Sequence, residues 1–291
     1  MRNSKYFSLA LLLLAAALIL TACASPAPAA AEAPETTEAP QFTEAAPKTR
    51  TVPDTLTMEI FVGDVNISTK TQHFYDENGL LSQTISYSGD QETSRTELEN
   101  DLHGEVIRQT TVSGAMTTVT ESENTYDDAG NLIKKVDTVT MDGVITDIRE
   151  YSYRPDGKLL EAIFTHTGEN GYTTSNCYEY DEKGNQIAVI QESNGISIRT
   201  EAEFNEEGRI VSSVTINSDD TVTGRTEYTY DFAEDGTMTQ TQTAIALPTG
   251  LSTRTVTCYD EQGNTILTET WTDDTLTQRI SCTYITVPAF K

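Results

Sequence analysis

From Leu56 onward, apolar and polar positions alternate along most of the chain. Leu56, Met58, Ile60 and Val62 share one parity, as do Ile196, Ile198, Thr200, Ala202 and Phe204, and Tyr172, Thr174, Asn176, Tyr178 and Tyr180. Alternation built from Thr, Val, Ile and Tyr predicts strands with one face better buried than the other. Short β-prone pairs restart the pattern at Val106-Ile107, Leu132-Ile133, Leu159-Leu160 and Ile210-Val211. No stretch beyond the first 22 residues keeps a helical period, so the reading is all-β, with about eighteen strands of ordinary length.

Between the strands one phrase returns. It is clearest at Tyr126-Asp127-Asp128-Ala129-Gly130-Asn131-Leu132 and recurs at Tyr75-Asp76-Glu77-Asn78-Gly79, Tyr180-Asp181-Glu182-Lys183-Gly184 and Tyr259-Asp260-Glu261-Gln262-Gly263. Looser copies end in Gly104, Gly157 and Gly208, and one with two extra residues runs from Tyr230-Asp231 to Gly236. The glycines recur about every 26 residues, which marks a repeat architecture. Each copy reads as a hairpin tip. Asp opens a type I turn by accepting a backbone N–H two residues on, and Gly takes the left-handed position of a G1 bulge. Weaker turns lie midway, at Ser88-Gly89-Asp90, Asp142-Gly143, Ser193-Asn194-Gly195, Ser218-Asp219-Asp220 and Thr272-Asp273-Asp274. One repeat is then two antiparallel strands, and successive repeats continue one meander. Twist makes a flat sheet of that width untenable. The expected fold is a twisted, coiled sheet forming an open or partly closed shell, its Tyr and aliphatic face concave, with an exposed end strand around Thr275–Ile285 free to self-associate.

The segment before the strands reads differently. Arg2 and Lys5 precede an apolar run from Phe7 to Leu20, shorter than the ~20 residues a membrane-spanning helix needs. It ends in Leu20-Thr21-Ala22-Cys23, which resembles the lipobox of bacterial lipoprotein signal peptides. That resemblance implies a signal peptide over 1–22 and lipidation of Cys23; the alternative is an ordinary secretory signal. Two or three acyl chains would hold the protein stably, since each buried CH₂ contributes about 0.8 kcal/mol. Residues 23–50 turn to Ala, Pro, Glu and Thr and are expected to form a disordered tether, leaving 51–291 as the repeat domain, its first strand opening near Thr55.

Charge and cysteine narrow the chemistry. The formal net charge is −26, and losing Arg2 and Lys5 makes it more negative still, so nucleic acid and anionic headgroups are poor partners. The acidic turns lack the spacing of a dedicated calcium loop. With Cys23 lipidated, Cys177, Cys258 and Cys282 remain, an odd set. Parity sends Cys258 away from the tyrosine face and Cys282 onto it, so no disulfide is expected. His73, His103 and His166 fall in different repeats with no metal-ligand spacing, and neither a nucleophile elbow nor a phosphate loop occurs. No cofactor is expected. The pairs Tyr151/Tyr153, Tyr178/Tyr180 and Tyr228/Tyr230 each share a face. They would serve either as a carbohydrate-stacking row or, the reading favoured, as packing beside the turns with hydroxyls reaching water.

The repeated phrase, with its tyrosines ahead of each next copy, looks like the YD repeat of the Rhs family, over roughly residues 55–287. That resemblance implies spiralling antiparallel sheets and placement at a cell surface. The copies here are too few for the full shell that walls off a toxin in large family members. The function expected is a lipid-anchored envelope protein, facing outside the cytoplasm, with a non-catalytic binding or scaffolding sheet for a surface glycan or envelope protein. The alternatives are a polysaccharide-acting hydrolase using paired carboxylates, and a toxin-neutralising partner.

Overall fold

The computed structural model describes residues 49–140, 144–168 and 171–290, within the compact unit Pro47–Lys291. The described residues form eighteen strands and no helix. The first six are β1 (Thr49–Val62), β2 (Val65–Tyr75), β3 (Leu81–Ser88), β4 (Gln91–Asn100), β5 (Val106–Ser113) and β6 (Met116–Tyr126). Then come β7 (Leu132–Thr140), β8 (Val144–Tyr153), β9 (Leu159–His166), β10 (Tyr172–Tyr180), β11 (Gln186–Ser193) and β12 (Ile196–Phe204). The last six are β13 (Ile210–Asn217), β14 (Val222–Phe232), β15 (Met238–Ala246), β16 (Leu251–Tyr259), β17 (Thr265–Thr272) and β18 (Thr275–Pro288).

Every strand pairs antiparallel with its chain neighbours, which is the expected meander, and the ends then meet. β18 pairs β1 from Thr49↔Pro288 to Ile60↔Gln278, so the single sheet closes into a barrel. Closure goes one step beyond the open or partly closed shell expected of this coiled meander, and it corrects the free end strand at Thr275–Ile285: β18 is hydrogen-bonded on both sides, to β17 and to β1. The physical reason is the unpaired row of N–H and C=O groups that an open end would expose, which closure removes. The first strand also begins earlier than Thr55. Thr49–Pro53 pairs with Tyr284–Pro288, and the ladder shifts register between Pro53 and Thr55, a bulge that accommodates a residue without an N–H.

The two faces differ. Along β6, Ser122, Asn124 and Tyr126 are half-buried while Glu121, Glu123 and Thr125 are exposed. Along β14, Gly224 and Tyr228 are buried while Arg225, Glu227 and Thr229 are exposed. Side chains crowd on the concave side of a closed sheet, so the tyrosine face lines the inside and the charged face is outside. The outer face is laced by ion pairs such as Arg199–Glu179 at 2.7 Å and Arg279–Glu269 at 2.7 Å.

A conventional core is missing among the described residues. The buried apolar side chains are Val52, Ile85, Ala188, Ala202, Tyr228 and Val287, and no large side chain falls below 2% exposed. The wall is one sheet thick and most residues of both faces keep part of their surface exposed, as expected of barrels of 16–18 strands, whose bore is too wide for side chains to fill. Stability must come from the continuous backbone ladder and from contacts between adjacent strands rather than from a packed interior.

Candidate functional site

The eight repeat turns all lie at one rim, together with Thr49 and Pro288. At each, the Gly N–H donates to the carbonyl of the residue three before it, as in Gly130 to Asp127 at 3.0 Å and Gly184 to Asp181 at 3.1 Å. All eight glycines, Gly79, Gly104, Gly130, Gly157, Gly184, Gly208, Gly236 and Gly263, have φ between +76° and +87°. The turn aspartates are occupied by their own loops. Asp127 Oδ1 accepts from the N–H of Ala129 at 2.9 Å and of Asn131 at 2.8 Å, while Oδ2 takes the Asn131 amide at 2.9 Å. In the long copy the two extra residues do not enlarge the turn. The turn there is Ala233 to Gly236, and β14 runs on so that Phe232 pairs with Met238. Of the weaker turns, Asp142-Gly143 falls outside the described residues.

The tyrosine pairs sit on the inner face next to this rim, and three of their hydroxyls do not reach for water. Tyr153 donates to the Leu132 carbonyl at 2.8 Å, Tyr180 to Leu159 at 2.9 Å and Tyr230 to Ile210 at 2.9 Å. Tyr75 and Tyr284 do the same, to Pro53 at 2.6 Å and to Thr265 at 2.7 Å. Each acceptor opens or lies near the outer end of the preceding strand, so each tyrosine ties its strand to the one before it at this rim, between one repeat turn and the next. Tyr228 is 6% exposed. Burial pushes the Tyr151, Tyr153 and Tyr228 hydroxyls upward, and burial with the neighbouring Tyr228 and Tyr259 pushes Tyr230 up to about 12. These residues act as rungs of the wall.

The opposite rim holds a different cluster on the same face. Register pairs Lys135 with Arg149, Asp137 with Asp147, Arg149 with Phe164, Asp147 with His166, and His166 with Tyr172. Among the described strand residues of the tyrosine face, Lys135, Asp137, Asp147 and Arg149 are those carrying a carboxylate, ammonium or guanidinium group. Asp137 is 6% exposed, pairs with Arg149 and accepts from Ser122 Oγ at 2.6 Å. His166 Nδ1 lies 2.6 Å from Asp147 Oδ1. A carboxylate only accepts, so Nδ1 carries the proton and, in the neutral ring, Nε2 is an acceptor. The Arg149 guanidinium lies 5.4 Å from the Phe164 ring centroid, and Tyr172 stands 5.4 Å from His166 and 5.8 Å from Phe164. Below this row, Asn176 pairs with Ala162, and its Oδ1 is buried without a hydrogen-bond partner.

Of this cluster, sequence reasoning named His166, only to set it aside, and Tyr172 and Asn176, only as positions of an alternating strand. The signal was available: Asp147 and Arg149 share parity with Tyr151 and Tyr153, which puts two charges on a face otherwise neutral. Cys177, Cys258 and Cys282 are free thiols, and register puts Cys258 opposite Leu267 on the outer face and Cys282 opposite Leu56 on the inner one. The proposed lipid acceptor Cys23, the signal peptide and the tether up to residue 48 lie outside the described residues.

No family model and no curated protein matches this chain. Among solved structures it is similar to a porin-like protein from Bacteroides uniformis ATCC 8492, at 10% identity and a TM-score of 0.44, over 80% of this chain and 98% of that one. A porin-like protein from Bacteroides vulgatus ATCC 8482 overlaps at 10% identity and a TM-score of 0.31, over 80% and 99%. The TcdB2-TccC3-Cdc42 structure overlaps at 13% identity and a TM-score of 0.22, over 73% of this chain and 15% of that one. Overlaps this low carry no argument, and the barrel rests on this chain's own strand register.

Proposed function

We propose that this chain is an envelope protein, anchored through a lipid on Cys23, whose hollow barrel is a non-catalytic binding module for a saccharide. The observation that carries the reading is a closed eighteen-stranded sheet whose inner face, among the described residues, is neutral and hydroxyl-rich except at one patch. There Phe164 and Tyr172 offer ring faces beside the hydrogen-bonding groups of Asp147, His166 and Arg149. Sugars are held by this combination, their C–H faces on aromatic rings and their hydroxyls on polar groups. The outer face argues that the barrel stands in water rather than in lipid. A membrane-spanning barrel needs an outward apolar band about 25 Å tall. Here Glu121, Glu123, Glu150, Glu179, Arg199, Glu201 and Glu227 face outward along successive even-numbered strands.

A hydrolase is the second reading, because Asp137 and Asp147 are cross-strand partners, with Cβ atoms roughly 5 Å apart. Glycosidases use two carboxyl groups about 5–10 Å apart, one of them free to act as the acid. Asp137 is nearly inaccessible and engaged by Arg149 and Ser122, and Asp147 holds His166. Neither is poised to give a proton to a substrate. A glycan array probed with the full chain in detergent tests the binding reading. Specific retention of a saccharide without its cleavage is expected. No retention, or release of shortened sugar, overturns it; a protein pulled down from the same envelope in place of a glycan favours a toxin-neutralising partner.

A further inference from the structure

We infer that the ligand seat is the inner-wall patch of β7–β10, away from the tyrosine pairs, and that it takes a saccharide carrying a protonated amine. The inference rests on the binding reading above and names its site and ligand class. Three observations point to it. The tyrosine pairs are spent on the wall: three of the six hydroxyls are tied to backbone carbonyls, and Tyr228 is buried. At the patch, by contrast, Tyr172 keeps 41% of its surface. Second, the groups left for a ligand are acceptors and ring faces. Asp147 spends Oδ1 on His166, which leaves Oδ2 to accept from a ligand, and the Tyr172 ring stands beside that pair. The wall already uses its rings this way, since Arg149 lies over Phe164 and ring faces attract cations.

Third, the mouth nearest the patch selects by charge. His166 ends β9 and Tyr172 opens β10, so both stand at the rim opposite the repeat turns. The described turns of that rim carry Asp64, Asp90, Asp219, Asp220, Asp273 and Asp274 and no Lys or Arg. They sit in four turns, those after β1, β3, β13 and β17, and carboxylates at the mouth of a bore concentrate cations and turn away anions. Patch and mouth thus favour the same solute, an amine-bearing sugar, over an acidic one.

The test is titration calorimetry of the full chain in detergent with three hexasaccharides: glucosamine, its N-acetylated form and galacturonate. The glucosamine oligomer is expected to bind roughly tenfold or more tightly than the N-acetylated one, with galacturonate silent. Phe164→Leu and Asp147→Asn should each weaken it by about tenfold with the melting temperature retained, while Glu121→Gln with Glu123→Gln, on the outer face, leaves it unchanged. Equal affinity for the acetylated oligomer overturns the amine assignment and leaves the saccharide reading standing. Loss only in the outer-face variant shows attraction to the acidic surface and overturns the seat. Silence from all three sugars overturns both.

Discussion

Gly79 and Gly130 occupy the same place in two copies of one turn, with φ of +77° and +85°, yet they face different surroundings. A Cβ built on Gly130 meets nothing within 4 Å. On Gly79 it would stand 2.0 Å from the Pro288 carbonyl oxygen and 3.2 Å from Val287 Cγ2. Gly130→Ala therefore pays only for left-handed backbone, about 1–2 kcal/mol. In a domain of this size that lowers the melting temperature by roughly 2–8 °C. Gly79→Ala carries the same strain plus a contact that no rotamer relieves, because the obstacle is backbone. The ribbon formed by Thr49–Pro53 and Tyr284–Pro288 must lift, freeing the Arg50 side chain that donates to the Gly79 carbonyl at 2.9 Å and exposing Val52 and Val287. The added cost should be of order 2–4 kcal/mol. Thermal unfolding measures the difference, and hydrogen exchange locates it: amides of residues 49–53 and 284–288 should lose protection in Gly79→Ala and keep it in Gly130→Ala. Equal melting temperatures with equal protection would mean that the terminal ribbon does not lie on the first turn, and the closure seam would have to be abandoned.

Four further outcomes follow from the same geometry. Asp220 takes the glycine position of its turn at φ +61°, so Asp220→Gly should stabilise by about 1 kcal/mol in a urea melt, and destabilisation would count against that turn. Tyr153→Phe removes the bond to the Leu132 carbonyl and should cost about 1 kcal/mol, measured the same way; an unchanged melt would deny the rungs any share in stability. Burial raises the Asp101 pKa, but bonds from Tyr126 at 2.5 Å, from Asn124 at 3.0 Å and from two backbone N–H groups outweigh it and hold the group at about 2. A depressed carboxylate stabilises the fold above its unfolded pKa of about 3.9 and loses that contribution as pH falls through the folded value. Acid titration of Asp101→Asn should accordingly show a flatter stability curve between about pH 4 and pH 2, and an unaltered slope would refute the assignment. Cys23→Ser should move the protein from washed membranes to the soluble fraction, and retention in the pellet would rule out anchoring there.

The turns were legible because their chemistry is local. Asp127 and Gly130 are three residues apart, and the hydrogen bonds that define the turn close within that phrase. The copy at Tyr230-Asp231 shows the limit of the method. Two inserted residues resemble a longer loop in one dimension, but Phe232 pairs with Met238 and the insertion lengthens the hairpin. Closure was not legible, since Thr49 meets Pro288 across the whole domain and nothing local distinguishes an end strand that will find a partner. The patch was half legible. Parity alone puts Asp147 and Arg149 on the tyrosine face, but only register brings Asp137 beside Asp147 and Tyr172 beside His166. The hydroxyl acceptors of the tyrosines were hidden for the same reason: a side chain reaching to the neighbouring strand depends on the stagger between strands, which sequence does not print.

The lack of a packed interior and the charged patch explain one another. In a dry core, burying carboxylates with a guanidinium costs several kcal/mol per ion in lost hydration, and the attraction between them seldom returns it all. A wide bore leaves water within reach of the inner face, so Arg149 keeps 38% of its side chain exposed while still facing inward, and the more buried Lys135 is paired with Glu105 at 3.5 Å. That leaves the wall to be held elsewhere: by the unbroken backbone ladder, by the aspartate-capped turns and by tyrosine hydroxyls on neighbouring carbonyls. All of the tyrosine ties fall next to the repeat-turn rim. The other rim is thereby released from a structural duty, and His166 with Asp147, the exposed tyrosine ring and the acidic turns collect there, while Lys135 reaches back to Glu105 beside a repeat turn. A chain that had to fill its interior could not have divided its two ends in this way.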